Sequence, residues 1–231
     1  MKLLAIDTSS VACSVALAYG GEISERYEEQ PREHTRLLVP MIESVLQDAG
    51  IELAQLDAIV LGNGPGSFIG MRIAASVAQG LAHGAELGIV PVSSLAAVAA
   101  EVFTDRPEEY VAVAQDAHMA EVYFGLFQRD ANGLPEPVIP ERIQAQEAIP
   151  ELVDLADGSA IAAGDGWNRY PQLLEANRGA LQEQASTLYP RASHLLPLGE
   201  VAFAAQDALQ AAEIQPAYLR EKVAEPPAAS S

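Results

Sequence analysis

The chain has 231 residues, and its composition of 49% hydrophobic and 19% charged residues is typical of a globular protein. This length fits one large domain or two small ones, and no apolar run approaches the roughly 18 residues of a membrane-spanning helix. The single cysteine, Cys13, excludes an internal disulfide and a metal site built from several cysteines. The net charge of −19 repels phosphate backbones, so we expect RNA or any other nucleic acid to be contacted only through a basic partner.

The first half of the chain alternates between strand and helix patterns. Residues 3–6 form an apolar run that Asp7 ends, which predicts a buried strand, not a secretory signal, and hence a cytoplasmic protein. Two more strand patterns complete an antiparallel meander with the third strand at its edge. The helices of the first half are predicted from the helical spacing of apolar residues, from capping residues and from glycines that end them. The predicted ranges are strands at 3–6, 13–18, 22–27, 58–61 and 88–92, and helices at 35–49, 67–83 and 94–103, the first two helices stopped by Gly50 and Gly84.

The second half repeats the opening of the first. Cys13 lies six residues after Asp7, and a second strand likewise resumes six residues after Asp116. A repeated strand, Asp, turn and strand predicts an α/β protein with a duplicated ribonuclease-H-like fold, as in actin-like ATPases and sugar kinases, in two domains. We expect domains at 1–104 and 105–220 and a disordered tail at 221–231. The remaining predicted ranges are strands at 111–117, 121–127 and 160–163, a loop or short edge strand at 135–140, and helices at 143–155 and 196–209.

A glycine-rich stretch, GNGPGSFIGMR at residues 62–72, joins a strand pattern to a helix pattern. Backbone N–H groups in such a turn, at a helix N-terminus, can hold a phosphate group. The spacing matches neither G-x-x-x-x-G-K-[ST] nor G-x-G-x-x-G, and no lysine follows. A tight turn with Ser67 as the helix N-cap explains the same residues, and we favour this structural interpretation.

Asp7, Thr8 and Ser9 are the other candidates for contact with a nucleotide. In an active actin-like ATPase, a hairpin here presents carboxylate, hydroxyl and N–H groups to a metal and a phosphate. The alternative is a turn closed by its own side-chain hydrogen bonds. The corresponding Asp116 is followed by no hydroxyl side chain, so we expect no bound cofactor. The residues expected nearest to any nucleotide are Asp7, Thr8, Ser9, Gly64 and Gly66.

No residue pattern predicts a catalytic or metal site. The four histidines, at positions 34, 83, 118 and 194, form neither H-x-x-x-H nor H-E-x-x-H. Cys13 lies within an apolar strand, which favours a small buried side chain over a nucleophile. No serine stands in a G-x-S-x-G elbow.

Two helices carry more apolar surface than one core needs. Their apolar positions span arcs of about 180° for residues 35–49 and about 220° for residues 67–83, wider than a stripe of about 100°. Small residues on the second helix would let another helix approach closely. The surplus surface fits burial between two domains of the same chain or contact with another protein, and the pattern leaves both open.

Several separated motifs occur in a fixed order along the chain. They are LAIDTS at 4–9, REHT at 32–35, GPGSFIGMR at 64–72, DAHMAEVY at 116–123 and AYLR at 217–220. In these motifs and their order, the chain resembles the TsaB (YeaZ) family from residue 3 to about 127 and again near its C-terminal end.

The resemblance implies a duplicated actin-like fold and a part in making N6-threonylcarbamoyladenosine at position 37 of tRNAs that read codons starting with adenosine. It implies an accessory scaffold, not an enzyme, which forms a heterodimer with the catalytic paralogue TsaD, activates it, and works with the ATPase TsaE. It also implies a homodimer of the isolated chain through the same helices, 35–49 and 67–83. The residues expected at this partner interface are Leu37, Leu38, Met41, Val45, Ile69, Arg72, Ile73, Ser76, Val77 and Gly80.

Three positions depart from the family pattern. Ile69 stands where the family has threonine, which weakens a phosphate-binding role, Met71 stands where it has leucine or valine, and His118 stands where it has arginine. The alternative function is that of an actin-like ATPase or small-molecule kinase, favoured by the Asp7 turn and the glycine loop. Against it, residues 164–167, GDGW, look like a turn and not like a glycine pair that holds adenosine.

Overall fold

The computed structural model describes residues 1–156 and 158–219, which form two five-stranded sheets with helices between and around them. The tail expected at 221–231 lies outside the described residues. Within the ranges that are described, no helix combines the length and hydropathy needed to cross a bilayer. The elements are strands β1 Leu3–Asp7, β2 Ala12–Tyr19, β3 Glu22–Glu29, β4 Ala58–Gly62, β5 Gly88–Val92, β6 Tyr110–Asp116, β7 Glu121–Arg129, β8 Pro135–Ala145, β9 Ala160–Ala163 and β10 Leu181–Gln184, and helices α1 His34–Ala49, α2 Phe68–Ala85, α3 Ser94–Asp105, α4 Pro150–Ala156, α5 Asp165–Arg169, α6 Pro171–Ala176 and α7 Ala192–Ala204.

The two sheets have the same topology. The first has the order β3-β2-β1-β4-β5 and the second the order β8-β7-β6-β9-β10. In each, the first three strands are antiparallel and the last two are parallel to the first. This repeat confirms the duplicated ribonuclease-H-like, actin-like fold predicted from the repeated strand, Asp, turn and strand.

The layers follow from which face of each sheet the helices cover. Helices α1 and α2 bury one face of the first sheet, and α7 packs on its other face. Helix α3 contributes to that second face and also covers the near face of the second sheet. Helices α4, α5 and α6 cover the far face, where Trp167 is fully buried and donates its indole N–H to the carbonyl oxygen of Ala112 at 3.0 Å.

The chain returns to its first half after β10. Helix α7 and residues up to 219 pack against the first sheet and α2, although the sequence assigned residues 105–220 to the second domain. A charged cluster anchors this return. The Arg191 guanidinium bonds Glu25 of β3 at 2.6 and 3.0 Å and lies 4.2 Å from the ring of Tyr27. The two halves are therefore tied together by packing and by an ion pair.

Most of the predicted ranges in the first half are confirmed within one to three residues. Gly50 ends α1 in the left-handed conformation, with φ of 65°, as predicted. The prediction that Gly84 ends α2 was wrong, because the helix continues to Ala85 and Glu86 takes the left-handed position. The edge position predicted for the third strand is confirmed.

The second half holds the larger errors. The helix predicted at 143–155 was wrong at its start, because β8 extends to Ala145 and the helix, α4, begins at Pro150. Strand β8 tolerates its prolines because it lies at the sheet edge. The helix predicted at 196–209 is α7, which begins four residues earlier because Ala192 and Leu195 are buried against the first sheet, and ends at Ala204.

Candidate functional site

The Asp7 turn is closed by hydrogen bonds within the chain. Asp7 is buried, and its Oδ1 accepts from the backbone N–H and the hydroxyl of Ser9 at 2.7 and 2.8 Å. Its Oδ2 accepts from the Ser94 hydroxyl at 2.6 Å. Burial raises the pKa of Asp7 above its ordinary value, and these hydrogen bonds partly oppose the shift. The carboxylate thus serves to join β1 to the start of α3.

The glycines of the loop between β4 and α2 are explained by close approach to this turn. A Cβ at Gly62 would lie 2.0 Å from Oδ2 of Asp7. A Cβ at Gly66 would lie 2.2 Å from the carbonyl oxygen of Ser9, and one at Gly70 would lie 1.9 Å from that of Thr8. The glycines of this loop match no phosphate-binding pattern because they stand at the positions where the loop lies against residues 7–9.

The polar groups of the loop are also engaged. Ser67 donates its backbone N–H to the carbonyl oxygen of Ser9 at 2.6 Å, and its hydroxyl caps α2 by accepting from the N–H of Gly70 at 3.2 Å. The N–H of Gly64 bonds the Ser94 hydroxyl at 3.1 Å, and the Thr8 hydroxyl donates to the carbonyl oxygen of Gly70 at 2.7 Å. The loop and the Asp7 turn form one hydrogen-bonded unit.

The equivalent corner of the second domain has a different polar cluster. Asp116 accepts from the Tyr170 hydroxyl at 2.7 Å and from the backbone N–H of His118 at 2.8 Å. Its own N–H donates to Oδ1 of Asp165 at 3.0 Å. His118 is exposed, and its Nδ1 lies 3.3 Å from Oδ2 of Asp116. Sequence reasoning missed Asp165 as a member of this corner, although the Gly-Asp-Gly that contains it was noticed as a turn.

Burial raises the pKa of Asp165 from 3.8 to about 6, and the nearby charge of Asp116 adds to the shift. Between pH 4 and 6 the folded chain therefore binds more protons than the unfolded chain, so the contribution of Asp165 to stability is lost as the pH rises. We expect Asp165→Asn to raise the free energy of unfolding by about 1–2 kcal/mol at pH 7.5 and to have little effect at pH 4. Denaturant unfolding at the two pH values measures this, with equal effects at both contradicting it.

A cleft of about 900 Å³ separates these two corners. It extends from the turn after β1 and the loop before α2 to the turn after β6 and the start of α5. Ser9 and Gly66 line one side and Asp116 and Asp165 the other. Of the five residues expected nearest to a nucleotide, Ser9 and Gly66 line this cleft, whereas Asp7, Thr8 and Gly64 are buried and do not line it.

The outer face of α1 and α2 carries exposed apolar side chains. Ile69 is 70% exposed and Val39 is 43% exposed. Leu37, Ile73 and Val77 are half-buried, and Arg72, Ser76 and Gly80 are exposed.

Leu38, Met41 and Val45 do not lie on this face and are a correction to the expected interface. All three are buried in the core between α1, α2 and the first sheet, so they cannot contact another protein directly. The wide apolar arc of α1 is thus explained largely by burial within its own domain.

Arg72 has partners in its own chain. Its Nε donates to the hydroxyl of Tyr218 at 2.9 Å, and its guanidinium lies 3.7 Å from the ring centroid of Phe68. The rings of Phe68 and Tyr218 lie 5.5 Å apart. Residues 211–218 run along α2, anchored where Gln79 donates to the carbonyl oxygen of Ala211 at 2.9 Å. No pattern in the sequence predicted this contact, which joins residues 146 positions apart.

The candidates for chemistry that the sequence offered are Cys13 and groups of metal-binding side chains. Cys13 is buried within β2, and burial raises the pKa of its thiol to about 12, which disfavours the nucleophilic thiolate. Among the residues described, no group of three or more His, Cys, Asp or Glu side chains is arranged to hold a metal ion.

Comparisons with known proteins show which family the chain resembles over most of its length. A family model described as "TsaD: tRNA N6-adenosine threonylcarbamoyltransferase" matches residues 23–228. A protein of Escherichia coli (strain K12) named tRNA threonylcarbamoyladenosine biosynthesis protein TsaB is 37% identical over 224 residues, covering 97% of this chain and 96% of that protein. A Haemophilus influenzae protein of the same name is 39% identical over 231 residues, covering 96% and 95%.

A solved structure, YeaZ from Pseudomonas aeruginosa, matches this fold with a TM-score of 0.85 and 38% identity, covering 94% of this chain and 99% of that one. Likeness at this level of identity extends over both sheets, not only over the motifs recognised in the sequence. The chain therefore belongs to the TsaB (YeaZ) family.

Proposed function

We propose that this chain is a non-catalytic subunit in the synthesis of N6-threonylcarbamoyladenosine at position 37 of tRNA. It binds the catalytic paralogue TsaD through the outer face of α1 and α2 and holds it in an active arrangement. TsaE is the second protein partner, and the isolated chain forms a homodimer through the same face. The names of the relatives support the process, and the exposed apolar face supports the mode of action.

The observation that carries the proposal is the surface of α2. Ile69 is exposed at the start of the helix, and Ser76 and Gly80 continue the same outer surface with small side chains. A Cβ at Gly80 would meet nothing within 4 Å, so a helix of another protein could approach the backbone there. On α1, Val39 is a further exposed apolar side chain. Exposed apolar side chains that group on one surface favour a protein partner.

The choice of partner follows from the family match. The family model that matches residues 23–228 is that of TsaD, so we infer that TsaD shares this fold and has helices equivalent to α1 and α2. Two related chains can then pair through equivalent faces in the manner of a pseudo-symmetric dimer. The net charge of −19 supports indirect contact with tRNA, since the partners must supply the basic surface.

The buried hydrogen bonds of Asp7 support the non-catalytic part of the proposal. A metal-assisted phosphoryl transfer needs a carboxylate free to face the cleft. Both carboxylate oxygens of Asp7 already accept from Ser9 and Ser94, beneath the loop. We therefore expect the purified chain to hydrolyse no ATP, as measured by phosphate release. ATP turnover that is lost in Asp7→Ala would favour the alternative, an actin-like ATPase or kinase.

Co-elution with TsaD tests the proposal directly. We expect an equimolar mixture of this chain and its cognate TsaD to elute from a size-exclusion column as one heteromeric peak, earlier than either protein alone. Light scattering gives the mass of that peak and separates a heterodimer from the homodimer of this chain. Two separate peaks at micromolar concentrations, with and without TsaE and ATP, would count against it.

A further inference from the structure

Hydrogen-bond acceptors lie on both sides of the cleft between the two domains. One of them belongs to His34, the first residue of α1, which lines the cleft and is 6% exposed. Its Nε2 lies 2.8 Å from the carbonyl oxygen of Ser10, so Nε2 carries the proton and Nδ1 of the neutral ring is an acceptor. Nδ1 is buried and has no hydrogen-bond partner among the described residues.

Two carboxylates face the same space from the other domain. Asp116 and Asp165 both line the cleft, and Oδ1 of Asp165 accepts from the N–H of Asp116. Asp116 has two exposed basic neighbours, His118 and Arg169, at 3.3 and 3.9 Å. No basic side chain in the described part of the chain forms an ion pair with Asp165. A cation in the cleft would relieve the repulsion between the two carboxylates.

The side-chain amide of Gln115, on the same side of the cleft as Asp116, also offers an acceptor. Gln115 lines the cleft and donates its amide N–H to the carbonyl oxygen of Leu188 at 2.6 Å, which leaves the amide oxygen as its group for a ligand. Arg32 is the one arginine among the described residues that line the cleft, and it is exposed. Phosphate groups would meet like charge at Asp116 and Asp165, whereas a ligand that carries N–H donors and positive charge would not.

The aromatic and apolar side chains that line the cleft fit the apolar part of such a ligand. Phe68 and Met71 from the first domain, and Tyr123 and Tyr189 from the second, provide aromatic and thioether surface. Aromatic faces attract organic cations as well as apolar groups. The volume of about 900 Å³ lies within the range of small-molecule sites.

We propose that the interdomain cleft binds a small organic cation whose ammonium or guanidinium group lies at Asp116 and Asp165 and whose apolar part lies against the aromatic walls. The cleft also reaches the proposed TsaD-binding face, because Ile69 and Ile73 of α2 line it, whereas Asp116 and Asp165 lie on the side of the second domain. The same chemistry occurs in a free amine and in a lysine or arginine side chain of a protein, and the experiment separates these two sources.

Calorimetric titration tests the site with two probes, agmatine as a free guanidinium and the blocked peptide acetyl-Leu-Arg-Leu-amide. We expect at least one probe to bind, and Asp165→Asn to weaken that probe at least tenfold. Asp154→Asn on the exposed part of α4 removes the same charge away from the cleft and should leave binding unchanged. Binding of agmatine identifies a free amine as the ligand type, and binding of the peptide alone identifies a protein side chain. Binding of neither probe, or equal weakening by the two variants, overturns the proposal.

A measurement on the unmodified chain removes any dependence on the folding of the variant. The titratable groups that act on Asp165 are Asp116 on β6, Arg169 on α5 and Tyr189. His118 lies at Asp116, and His34 lines the cleft from α1. The NMR chemical shift of the Asp165 carboxyl carbon reports the titration of this group. We expect Asp165 to titrate near pH 6 in the free chain and at a lower pH with saturating agmatine. An unchanged titration, or a response to ATP and not to agmatine, overturns the proposal.

Discussion

Replacing Gly70 with alanine should lower the free energy of unfolding by about 3 kcal/mol or more, at or beyond the upper end of overpacking costs. The new Cβ would lie 1.9 Å from the carbonyl oxygen of Thr8, and a backbone atom cannot move aside as the end of a flexible side chain can. The loop would have to separate from the Asp7 turn and lose the hydrogen bond between the Thr8 hydroxyl and the Gly70 carbonyl. Denaturant unfolding followed by circular dichroism measures the effect.

Gly84 provides a matched control in the same helix. A Cβ there would meet nothing within 4 Å, and the residue lies inside α2. Gly84→Ala should therefore leave stability unchanged or raise it by up to about 1 kcal/mol, because alanine is the better helix former. Equal stabilities for the two variants would show that the loop does not approach the turn as closely as described.

Replacing Ile69 with glutamate should weaken binding to TsaD by at least about 30-fold, or about 2 kcal/mol, if the outer face of α2 is the interface. The substitution would place a charge without a partner in an apolar contact. Because Ile69 is 70% exposed in the isolated chain, stability should change by no more than about 0.5 kcal/mol. Titration calorimetry with TsaD gives the dissociation constant.

The control for this variant is Val201→Glu. Val201 is 57% exposed on α7, which packs on the opposite face of the first sheet from α2. The Val201→Glu variant makes the same change from an apolar to an acidic side chain as Ile69→Glu. General repulsion between the added charge and TsaD would therefore weaken binding equally in both variants. A similar loss of affinity in the two variants would remove the outer face of α2 as the proposed contact.

The fold was largely predictable because its signals are local and repeated. The Asp that ends β1 and the Asp that ends β6 each precede a turn and a second strand, and the same sheet order follows in both halves. The second half was harder to predict because β8 contains three prolines and the short helices α5 and α6 lack a full apolar period. There, pairing at a sheet edge outweighed local propensity.

The site was less predictable because it depends on contacts between distant residues. The loop glycines were interpreted as a tight turn, which Gly64 with its φ of 86° supports, but three of them owe their identity to the backbone and carboxylate of residues 7–9. The amphipathic pattern of α1 could not separate core from surface, so Met41 was placed on the wrong side. Tyr218 was noted only within the AYLR motif at 217–220, and nothing in that motif predicted its hydrogen bond to Arg72.

The central proposal is that the chain acts through its surface and not through chemistry of its own. The most direct test is the formation of N6-threonylcarbamoyladenosine on tRNA in a reaction reconstituted with TsaD, TsaE and the threonylcarbamoyl donor. We expect product with the unmodified chain and with Val201→Glu, and loss of product with Ile69→Glu. Full product formation with Ile69→Glu would contradict the proposal.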